Sequence, residues 1–414
     1  MMKIAIIGSG ISGAACAHYL DKKGHDISII EANDYLGGHT HTHKIDHLQK
    51  TYNVDTGFIV FNKRTYPNFL KMIESLNVAY KETSMSFSVS CEKTGLEYNG
   101  TNFNTLFAQR SNLLRPSFYG FLKGIVDFNK KASRFLKESN HQMTLGQFFK
   151  KFNIRKDVLE YYIVPMIAAV WSVDPVLVWE FPAVFILRFF ENHGFLEVEG
   201  RPQWYVIEGG SRSYLEAILS QFKGKIYSHT PVQGIRRADN KAYVMTEGKE
   251  EEYDAVIIAT HSDTAFKLLK DPSHDEKEVL EALPYSNNPT FLHTDKNFLP
   301  KRKLAWASWN YLLPPDKSHG STVTYNMNIL QGHDCQDEFL VTLNPHKKID
   351  PTTIIKEMNY SHPLFTLEGM DAQAKWDRIS GVNNTFYCGA YWRNGFHEDG
   401  LFSALRVVEQ IEGK

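Results

Sequence analysis

The sequence lacks several features that would quickly assign it to a class of protein. Its four cysteines, Cys16, Cys91, Cys335 and Cys388, include no C-x-x-C pair, which gives no zinc signature and fits a reducing, cytoplasmic compartment. No run of about 18 uncharged apolar residues is present, so we expect no membrane-spanning helix. Internal repeats and low-complexity segments are also absent.

An excess of charge of one sign is missing as well. The formal net charge is -1 over 414 residues, and we therefore expect no nucleic-acid partner held by bulk charge. The chain is 43% hydrophobic and 22% charged, as in ordinary globular proteins, and its length predicts two domains. Aromatic residues make up 13% of the chain. They cluster in a helical region between residues 148 and 190, where they form either core or the wall of an apolar tunnel.

The first forty residues are the most informative stretch. A short apolar run at residues 4–7 predicts a buried parallel strand, and Gly8, Gly10 and Gly13 follow it in a G-x-G-x-x-G pattern. These glycines permit a tight turn, close approach of a pyrophosphate, and close packing of helix on sheet. A second apolar run ends at Glu31, which is placed to accept hydrogen bonds from a ribose. The stretch predicts a dinucleotide-binding unit.

A run of alternate histidines follows the glycine pair Gly37-Gly38. His39, His41 and His43 would share one face of a strand, an arrangement that can hold a metal ion. No cysteine or cluster of acids completes such a site. We therefore expect no metal.

The rest of the chain predicts two kinds of sheet. Short alternating segments from residue 84 to 104 predict an antiparallel sheet, which strands at 288–295, 303–311 and 339–343 would extend. Residues 105–196 are predicted to be mostly helical. Apolar strands at 253–260 and 384–390, the second followed by a helix from Glu398, predict a return to the parallel sheet.

Taken as a set, these motifs resemble the flavin-containing amine oxidase and phytoene desaturase superfamily over the full chain. The resemblance lies in Gly8-x-Gly10-x-x-Gly13, Glu31-x4-Leu36-Gly37-Gly38, Val54-Asp55-Thr56-Gly57, Pro231-Val232, Ala259-Thr260 and the closing Gly389 and Gly400. A bacterial subgroup found beside cyclopropane-fatty-acid synthase-type methyltransferases is similar in finer detail. That likeness lies in Phe181-Pro182 through Phe189-Phe190-x-Asn192-His193-Gly194, Ser308-Trp309-Asn310-Tyr311 and Gly395-Phe396-His397-Glu398-Asp399-Gly400.

The resemblance implies an α/β fold with FAD as the cofactor. A Rossmann-like, glutathione-reductase-like FAD-binding domain would comprise residues 1–83, 200–270 and 376–414. An inserted α+β substrate domain would comprise residues 84–199 and 271–375. NAD fits the first fingerprint equally well, but the Leu36-Gly37-Gly38 extension and the second glycine–helix unit favour FAD.

Cofactor contacts follow from the resemblance position by position. Backbone groups from Ser9 to Ser12 would bind the pyrophosphate, Glu31 the adenosine ribose, and Val232 the adenine. Gly57 and Phe58 would lie beside the flavin ring, where Gly389, Gly400 and Leu401 would flank the ribityl chain and pyrimidine edge. The implied cofactor residues are Gly8, Ser9, Gly10, Ile11, Ser12, Gly13, Glu31, Ala32, Gly37, Gly38, His39, Thr40, Gly57, Phe58, Val232, Ala259, Gly389, Gly400 and Leu401.

Five residues are candidates for a catalytic role. Phe396, His397 and Glu398 are expected around the flavin face, with His293 and Trp309 contributed by the substrate sheet. A histidine there could accept a proton. The alternatives are that His397 and Glu398 pair with the start of the last helix, and that His293 is a hydrogen-bonded strand residue.

Departures from the family narrow the expected chemistry. His39 replaces a common arginine, Phe396 falls near a tyrosine of amine-binding aromatic cages, and residues 291–306 offer no obvious match for the lysine near flavin N5 in many amine oxidases. We therefore expect an oxidoreductase that removes a hydride from a lipid-like fatty acyl chain, by desaturation or double-bond isomerisation. The alternatives are an amine oxidase using O2, and a non-catalytic FAD-binding partner of a lipid-modifying enzyme.

The resemblance also implies where the protein works. We expect a cytoplasmic protein with an apolar small-molecule or lipid substrate, peripheral contact with a membrane, and a methyltransferase as functional partner.

Overall fold

A computed structural model describes residues 1–138, 142–197, 200–316 and 322–413. In these ranges the strands are β1 (Lys3–Ile7), β2 (Asp26–Ile30), β3 (Thr42–His47), β4 (Lys50–Asp55), β5 (Val60–Asn62), β6 (Tyr80–Thr83), β7 (Phe87–Cys91), β8 (Glu97–Asn99), β9 (Trp204–Ile207), β10 (Lys225–Tyr227), β11 (Gly234–Ala238), β12 (Lys241–Thr246), β13 (Lys249–Tyr253), β14 (Ala255–Ile258), β15 (Tyr285–His293), β16 (Trp309–Leu313), β17 (Thr322–Asn326), β18 (Leu340–Leu343), β19 (Ile354–Pro363) and β20 (Thr385–Tyr387).

Helices connect and cover these strands. They are α1 (Ile11–Lys22), α2 (Pro67–Ser75), α3 (Phe103–Leu106), α4 (Pro116–Lys137), α5 (Leu145–Lys151), α6 (Lys156–Val158), α7 (Val164–Trp171), α8 (Ala183–Asn192), α9 (Arg212–Gln221), α10 (Ser262–Leu268), α11 (His274–Glu281), α12 (Met327–Gln331), α13 (Leu367–Gln373), α14 (Trp376–Ile379) and α15 (His397–Glu412). A π-helical turn at Leu159–Ile163 leads into α7, with Pro165 in the first turn of that helix.

A parallel sheet forms around the first strand, in the order β10-β2-β1-β14-β20. β1 pairs with β2 on one side and with β14 on the other. Its residues from Ile4 onward are buried, as expected for a strand covered on both faces. The predictions of parallel strands at 4–7, within 253–260 and within 384–390 are confirmed.

Small side chains let α1 pack tightly between this sheet and the last helix, α15. Ala14, Ala15 and Ala17 are buried, and the Cys16 thiol lies 3.7 Å from the Ala404 carbonyl oxygen of α15. The first and last helices of the chain therefore share one core, which also includes Leu401.

The second large sheet is mixed, in the order β19-β15-β18-β17-β16-β7-β8. The prediction that β7 and β8 belong to one sheet with the later strands is confirmed. Two details were wrong. β16 pairs with β7 in parallel, and residues 303–305 form a 3₁₀ turn before β16 begins at Trp309. The Asn310 side chain holds the chain in a turn there, because it both accepts from the Ala307 amide and donates to the Ala307 carbonyl.

Helices α4 to α8 cover the mixed sheet, as the prediction of a mostly helical region required. Aromatic side chains fill this second core, with Phe128, Phe148 and Phe190 almost fully buried. Much of the aromatic excess noted in the sequence therefore packs as core. Two of these aromatic residues, Trp171 and Phe189, also line a cavity.

Three smaller sheets complete the described fold. β5, β9 and β6 form one sheet, β3 and β4 a hairpin, and β11, β12 and β13 a meander. The predicted strand over residues 54–61 is split at Gly57, where a Cβ would lie 2.2 Å from the His39 carbonyl oxygen. The chain bends there because only glycine permits that approach.

Some segments placed in the predicted substrate domain pack against the parallel sheet. Val279 and Leu280 of α11 and Ala372 of α13 belong to the same core as β1 and α1. The two-domain division itself stays a prediction, and its boundary at residue 199 lies outside the described residues. Within the described ranges, none of the helices combines the length and apolarity needed to cross a membrane.

Candidate cofactor and substrate cavity

A cavity of about 480 Å³ lies at the carboxyl edge of the parallel sheet, where the two cores meet. The segments that follow β1, β2, β14 and β20 all reach it, which is where open parallel sheets bind their ligands. Side chains from the mixed sheet and from α7 and α8 close its other side. The volume is typical of small-molecule and cofactor sites.

The loop after β1 supplies backbone rather than side chains to this cavity. A Cβ on Gly13 would lie 1.9 Å from the Gly8 carbonyl oxygen, so the helix can start only with glycine at that position. A Cβ on Gly10 would meet nothing closer than the Gly37 carbonyl oxygen at 4.0 Å. Gly10 therefore leaves open space in front of α1, whose N-terminus has no side-chain cap and presents free N–H groups.

Glu31 ties the neighbouring loops together. One carboxylate oxygen accepts from the Ser9 amide at 2.9 Å and from the Ser9 hydroxyl at 2.7 Å. The other accepts from the amide of Asn33 at 2.9 Å. The Gly37 amide in turn donates to the Ser9 hydroxyl at 3.0 Å. Sequence reasoning missed Asn33, which lines the cavity beside Ala32.

His39 lines the cavity with a polar atom that lacks a partner. The side chain is half-buried, but its Nε2 atom is buried, and within the described ranges nothing hydrogen-bonds that atom. The rings of Tyr360 and His362 lie 5.0 Å and 5.3 Å away, and that of His261 lies 6.3 Å away. Burial, reinforced by the neighbouring histidines, holds the pKa of His39 well below its ordinary value. His39 is therefore a neutral group with an open hydrogen-bonding position.

Sequence reasoning missed two of these ring neighbours of His39, which both lie on β19. Tyr360 and His362 are separated by one residue, so a strand places both on one face. The alternation in the segment Tyr360-Ser361-His362-Pro363 could have indicated this shared face. The third neighbour, His261, directly follows the predicted motif Ala259-Thr260.

His397 stacks on Phe58 across the cavity floor. Their ring centroids are 3.6 Å apart with 6° between the planes. The Nε2 atom of His397 lies 2.8 Å from the Tyr214 hydroxyl and 3.2 Å from the Thr40 hydroxyl. Burial lowers the pKa of His397 to about 3. The histidine is therefore neutral, with its Nε2 engaged by neutral hydroxyl groups.

Glu398 points away from the cavity. Its carboxylate accepts from the Asn68 amide at 3.1 Å, from the Asn68 side chain at 2.6 Å and from the Phe69 amide at 2.9 Å. These bonds cap the N-terminus of α2. Glu398 does not line the cavity, so its position does not match the catalytic role predicted for it at the flavin face.

His293 does not line the cavity either. Its Nε2 lies 2.7 Å from the Thr342 hydroxyl, and its Nδ1 accepts from the Asp295 amide at 3.0 Å. Both ring nitrogens are therefore used inside the mixed sheet, and the residue is fully buried. Its position therefore matches the alternative expectation, that His293 is a hydrogen-bonded strand residue.

The remaining cofactor candidates fall into two groups. Those that line the cavity are Gly8, Ser9, Gly10, Ile11, Ser12, Glu31, Ala32, Gly38, His39, Gly57, Phe58, Ala259 and Gly389. Those that lie behind this wall or outside it are Gly13, Gly37, Thr40, Val232, Gly400 and Leu401. Thr40 bonds to Tyr214 and His397, whereas half-buried Val232 lies in the loop before β11.

The far end of the cavity is aromatic. Phe396 stacks on Phe189 with centroids 4.9 Å apart, and Trp171 lies 6.0 Å from Phe396. Trp309 and Tyr325 face the same space from the mixed sheet. Two of the five catalytic candidates, Phe396 and Trp309, are thus brought into one wall. Among the described residues that line the whole cavity, Glu31 is the one acid, and lysine and arginine are absent.

The histidine run does not gather into a metal site. Within the described ranges, no group of three or more His, Cys, Asp or Glu residues is arranged to hold a metal ion. His41 lies 2.9 Å from the Tyr360 hydroxyl, and His43 lies 3.1 Å from the Thr56 hydroxyl. Both histidines therefore support side chains that line the cavity.

The geometry defines a dinucleotide-binding protein with an apolar chamber. An uncapped helix N-terminus, the open space at Gly10 and the unpartnered Nε2 of His39 match a long polar cofactor. The family model of flavin-containing amine oxidoreductases matches residues 11–334. The chain belongs to this family of flavin-dependent oxidoreductases, and FAD is the cofactor.

Relatives and solved structures agree with this family. The chain is 36% identical over 323 residues to the 15-cis-phytoene desaturase of Synechococcus elongatus, covering 69% of this chain and 64% of the desaturase. It spans less than two thirds of the length of the first curated relatives that it matches.

Solved structures match over nearly the whole chain. A fatty acid isomerase of P. acnes superposes with a TM-score of 0.71 at 16% identity, covering 99% of this chain and 98% of that protein. The cyclohexylamine oxidase of Brevibacterium oxydans superposes with a TM-score of 0.69 at 14% identity, covering 99% of both chains. At these identities the likeness shows a shared fold.

Proposed function

We propose that this protein uses FAD to remove a hydride from a lipid-like, fatty acyl substrate, with desaturation or double-bond isomerisation as the outcome. The observation that carries the proposal is the uncharged, aromatic far end of the cavity. Transfer of an acyl chain from water to such a surface is favourable by about 0.8 kcal/mol per buried CH₂ group. A charged group would find no compensating ion at that end, so the acyl chain and not a charged head group would occupy it.

Cofactor placement follows from the walls of the cavity. In a Rossmann-like arrangement, the backbone from Ser9 to Ser12 would hold the pyrophosphate at the N-terminus of α1, and Glu31 would hold the adenosine ribose. The unpartnered Nε2 of His39 would hydrogen-bond to the bound cofactor. The floor formed by Phe58 and His397 would then lie at the flavin end.

FAD would supply the hydride acceptor, and the chain would supply position and a dry site. Trp171, Phe189 and Phe396 wall a space that would exclude water and hold an acyl chain in one orientation. His397 is held neutral by burial, so it adds no positive charge to the floor of the site. Isomerisation would return the hydride to another carbon of the substrate, whereas desaturation would leave the flavin reduced and release a proton from the neighbouring carbon to solvent.

Anaerobic reduction of the flavin tests the proposal. The purified holoprotein is mixed without oxygen with unsaturated fatty acids or, in parallel, with a panel of primary amines. We expect fatty acids to bleach the flavin absorbance or to give double-bond isomers on product analysis. Bleaching by amines alone would overturn the proposal in favour of an amine oxidase.

The amine-oxidase alternative draws on the shared fold with the cyclohexylamine oxidase. Aromatic faces can also bind a cation, so the wall of Trp171, Phe396 and Trp309 does not exclude an amine by itself. Hydrogen peroxide formed with an amine and oxygen would identify that activity. A flavin that neither substrate class reduces or transforms would identify a non-catalytic FAD-binding partner.

A methyltransferase partner rests on the resemblance alone. If it exists, the two proteins should copurify or share an acyl substrate. Product from a methyltransferase reaction, offered to this protein under the same anaerobic conditions, would test the second possibility.

A further inference from the structure

Four large apolar side chains project into solvent just before and within the start of α4. Leu114 is 88% exposed and Phe103 is 71% exposed, and Leu113 and Tyr119 are also exposed. Exposed apolar side chains are common singly, whereas clusters of them mark interaction sites. We call these four residues the apolar patch.

The members of the apolar patch are neighbours in an ordered turn. The rings of Phe103 and Tyr119 lie 4.7 Å and 5.9 Å from the buried ring of Phe107. The Tyr119 hydroxyl donates to the Leu113 carbonyl at 3.0 Å. A capping box between Asn102 and Thr105 starts α3 at Phe103. These contacts hold the rings of Phe103 and Tyr119 against the ring of Phe107 and tie Tyr119 to the backbone beside Leu114.

Basic residues follow the patch along the chain. Arg110 and Arg115 flank Leu113 and Leu114, and Lys123 lies on α4; we call these three residues the basic rim. Farther along α4, Lys131 and Arg134 are paired with Asp127 and Glu138. Residues 101–137 contain seven lysines and arginines and one acid, although the whole chain carries a net charge of -1. The basic residues are Arg110, Arg115, Lys123, Lys130, Lys131, Arg134 and Lys137, and the acid is Asp127. Arg110 bonds to the carbonyls of Asn104 and Phe107 and to the Asn104 side chain. These partners are neutral, so the positive charge of Arg110 is not compensated by them and can attract an anion.

We propose that the apolar patch and its basic rim dock the protein on the surface of an anionic lipid bilayer. Apolar side chains such as Leu114 and Phe103 would enter the boundary between headgroups and acyl chains, while Arg115 and Lys123 would attract the lipid phosphates. A second copy of the chain fits less well, because a symmetric interface would place two basic rims against each other.

Binding to vesicles tests the proposal without reference to the reaction. The holoprotein is sedimented with vesicles of phosphatidylcholine alone, or of phosphatidylcholine mixed with phosphatidylglycerol. We expect binding to the anionic vesicles and weaker binding to the neutral ones. The difference should disappear at about 1 M salt, because charges are then screened beyond about 3 Å. Sedimentation with neither kind of vesicle would overturn the proposal.

Two double variants separate the apolar and the charged contributions. Phe103→Ser with Leu114→Ser should lower partitioning by about tenfold or more, because it removes the inserted side chains. Arg115→Glu with Lys123→Glu should abolish the preference for anionic lipid. Unchanged binding in both would overturn the proposal.

Matched controls come from other faces of the protein. Val382 is 45% exposed in the turn before β20, and Lys71 is exposed on α2. Val382→Ser and Lys71→Glu should each leave vesicle binding unchanged, and loss of binding in these controls would assign the effect to general surface chemistry. Retained flavin absorbance shows that each variant is folded. Capture of the wild type by an acidic protein, with no vesicle binding, would replace the membrane by that partner.

Discussion

The Ser12 hydroxyl donates a hydrogen bond to the Gly400 carbonyl oxygen at 2.9 Å, joining the first helix to the last across 388 residues of sequence. Both groups are buried. The first helix also contacts the segment that follows β20, where the thiols of Cys16 and Cys388 lie 3.8 Å apart. The dinucleotide loop at the start of the chain is therefore held in place by the end of the chain, and the cavity exists only once both have folded together.

Two glycine variants should separate cofactor binding from folding. Gly10→Ala adds a Cβ that the protein itself can accommodate, but this Cβ would occupy space in front of α1 that the pyrophosphate needs. We expect near-normal stability of the FAD-free protein and at least a tenfold weaker affinity for FAD. Thermal unfolding of the FAD-free form and fluorimetric titration with FAD measure the two effects.

Gly13→Ala is the matched comparison. Its Cβ would lie 1.9 Å from the Gly8 carbonyl oxygen, so the helix must move away from the sheet. We expect a loss of about 1–3 kcal/mol in the free energy of unfolding, typical of overpacking. Equal stability of the two variants would show that the loop after β1 is not packed as described.

Protonation of His397 should weaken the fold as the pH falls. Its folded-state pKa is about 3, whereas an unfolded chain has a pKa near 6.5. Between these values the unfolded state binds the extra proton, so the stabilising contribution is complete above about pH 6.5 and declines as the pH falls towards 3. Burial also lowers the pKa of His193 and His362 to about 4, and both histidines act in the same direction.

The variant His397→Gln removes the titration of this one side chain from the pH dependence of stability. From about pH 7.5 to about pH 5.5, the variant should lose about 1.4 kcal/mol less of its free energy of unfolding than the wild type. Urea unfolding of both proteins at the two pH values provides the measurement. Identical losses would mean that His397 is not buried in its neutral form.

Trp309 should affect substrate affinity more than stability. Its indole N–H is buried without a partner in the described part of the chain, and the side chain lines the cavity. Trp309→Phe therefore removes no hydrogen bond within the protein. We expect little change in Tm. The KM for the acyl substrate should rise by up to about tenfold, because the polar end of the substrate would lose one hydrogen bond from the indole N–H.

The control for this prediction is Trp306. Its indole N–H donates to the Pro300 carbonyl at 2.8 Å, and it does not line the cavity. Trp306→Phe should lower Tm and leave KM unchanged. A KM that responds to Trp306 and not to Trp309 would place the substrate elsewhere.

Glu398 should prove to be a structural residue. Glu398→Ala leaves the buried Phe69 amide and the Asn68 amide without their acceptor, which should cost about 1–3 kcal/mol of stability. We expect the flavin spectrum and the turnover per folded molecule to be retained. Loss of turnover with unchanged stability would return Glu398 to the list of catalytic candidates.

The sequence by itself determined the local parts of this protein. The strand, the three glycines and the helix from Ile11 are specified by neighbouring residues, because tight turns and close helix packing impose strict limits on side-chain size. Glu31 could also be placed, since it ends the second strand of the same unit. Patterns of period two predicted most strands of the mixed sheet for a similarly local reason.

Only the tertiary structure decided which distant groups meet. The sequence made His293 and Glu398 candidates for a catalytic role. In the structure, hydrogen bonds to Thr342 and to the start of α2 hold their side chains outside the cavity lining. His261 and His362 come together beside His39 although they lie on separate elements. Such contacts depend on how sheets and helices pack over hundreds of residues. No spacing within the sequence encodes the resulting distances.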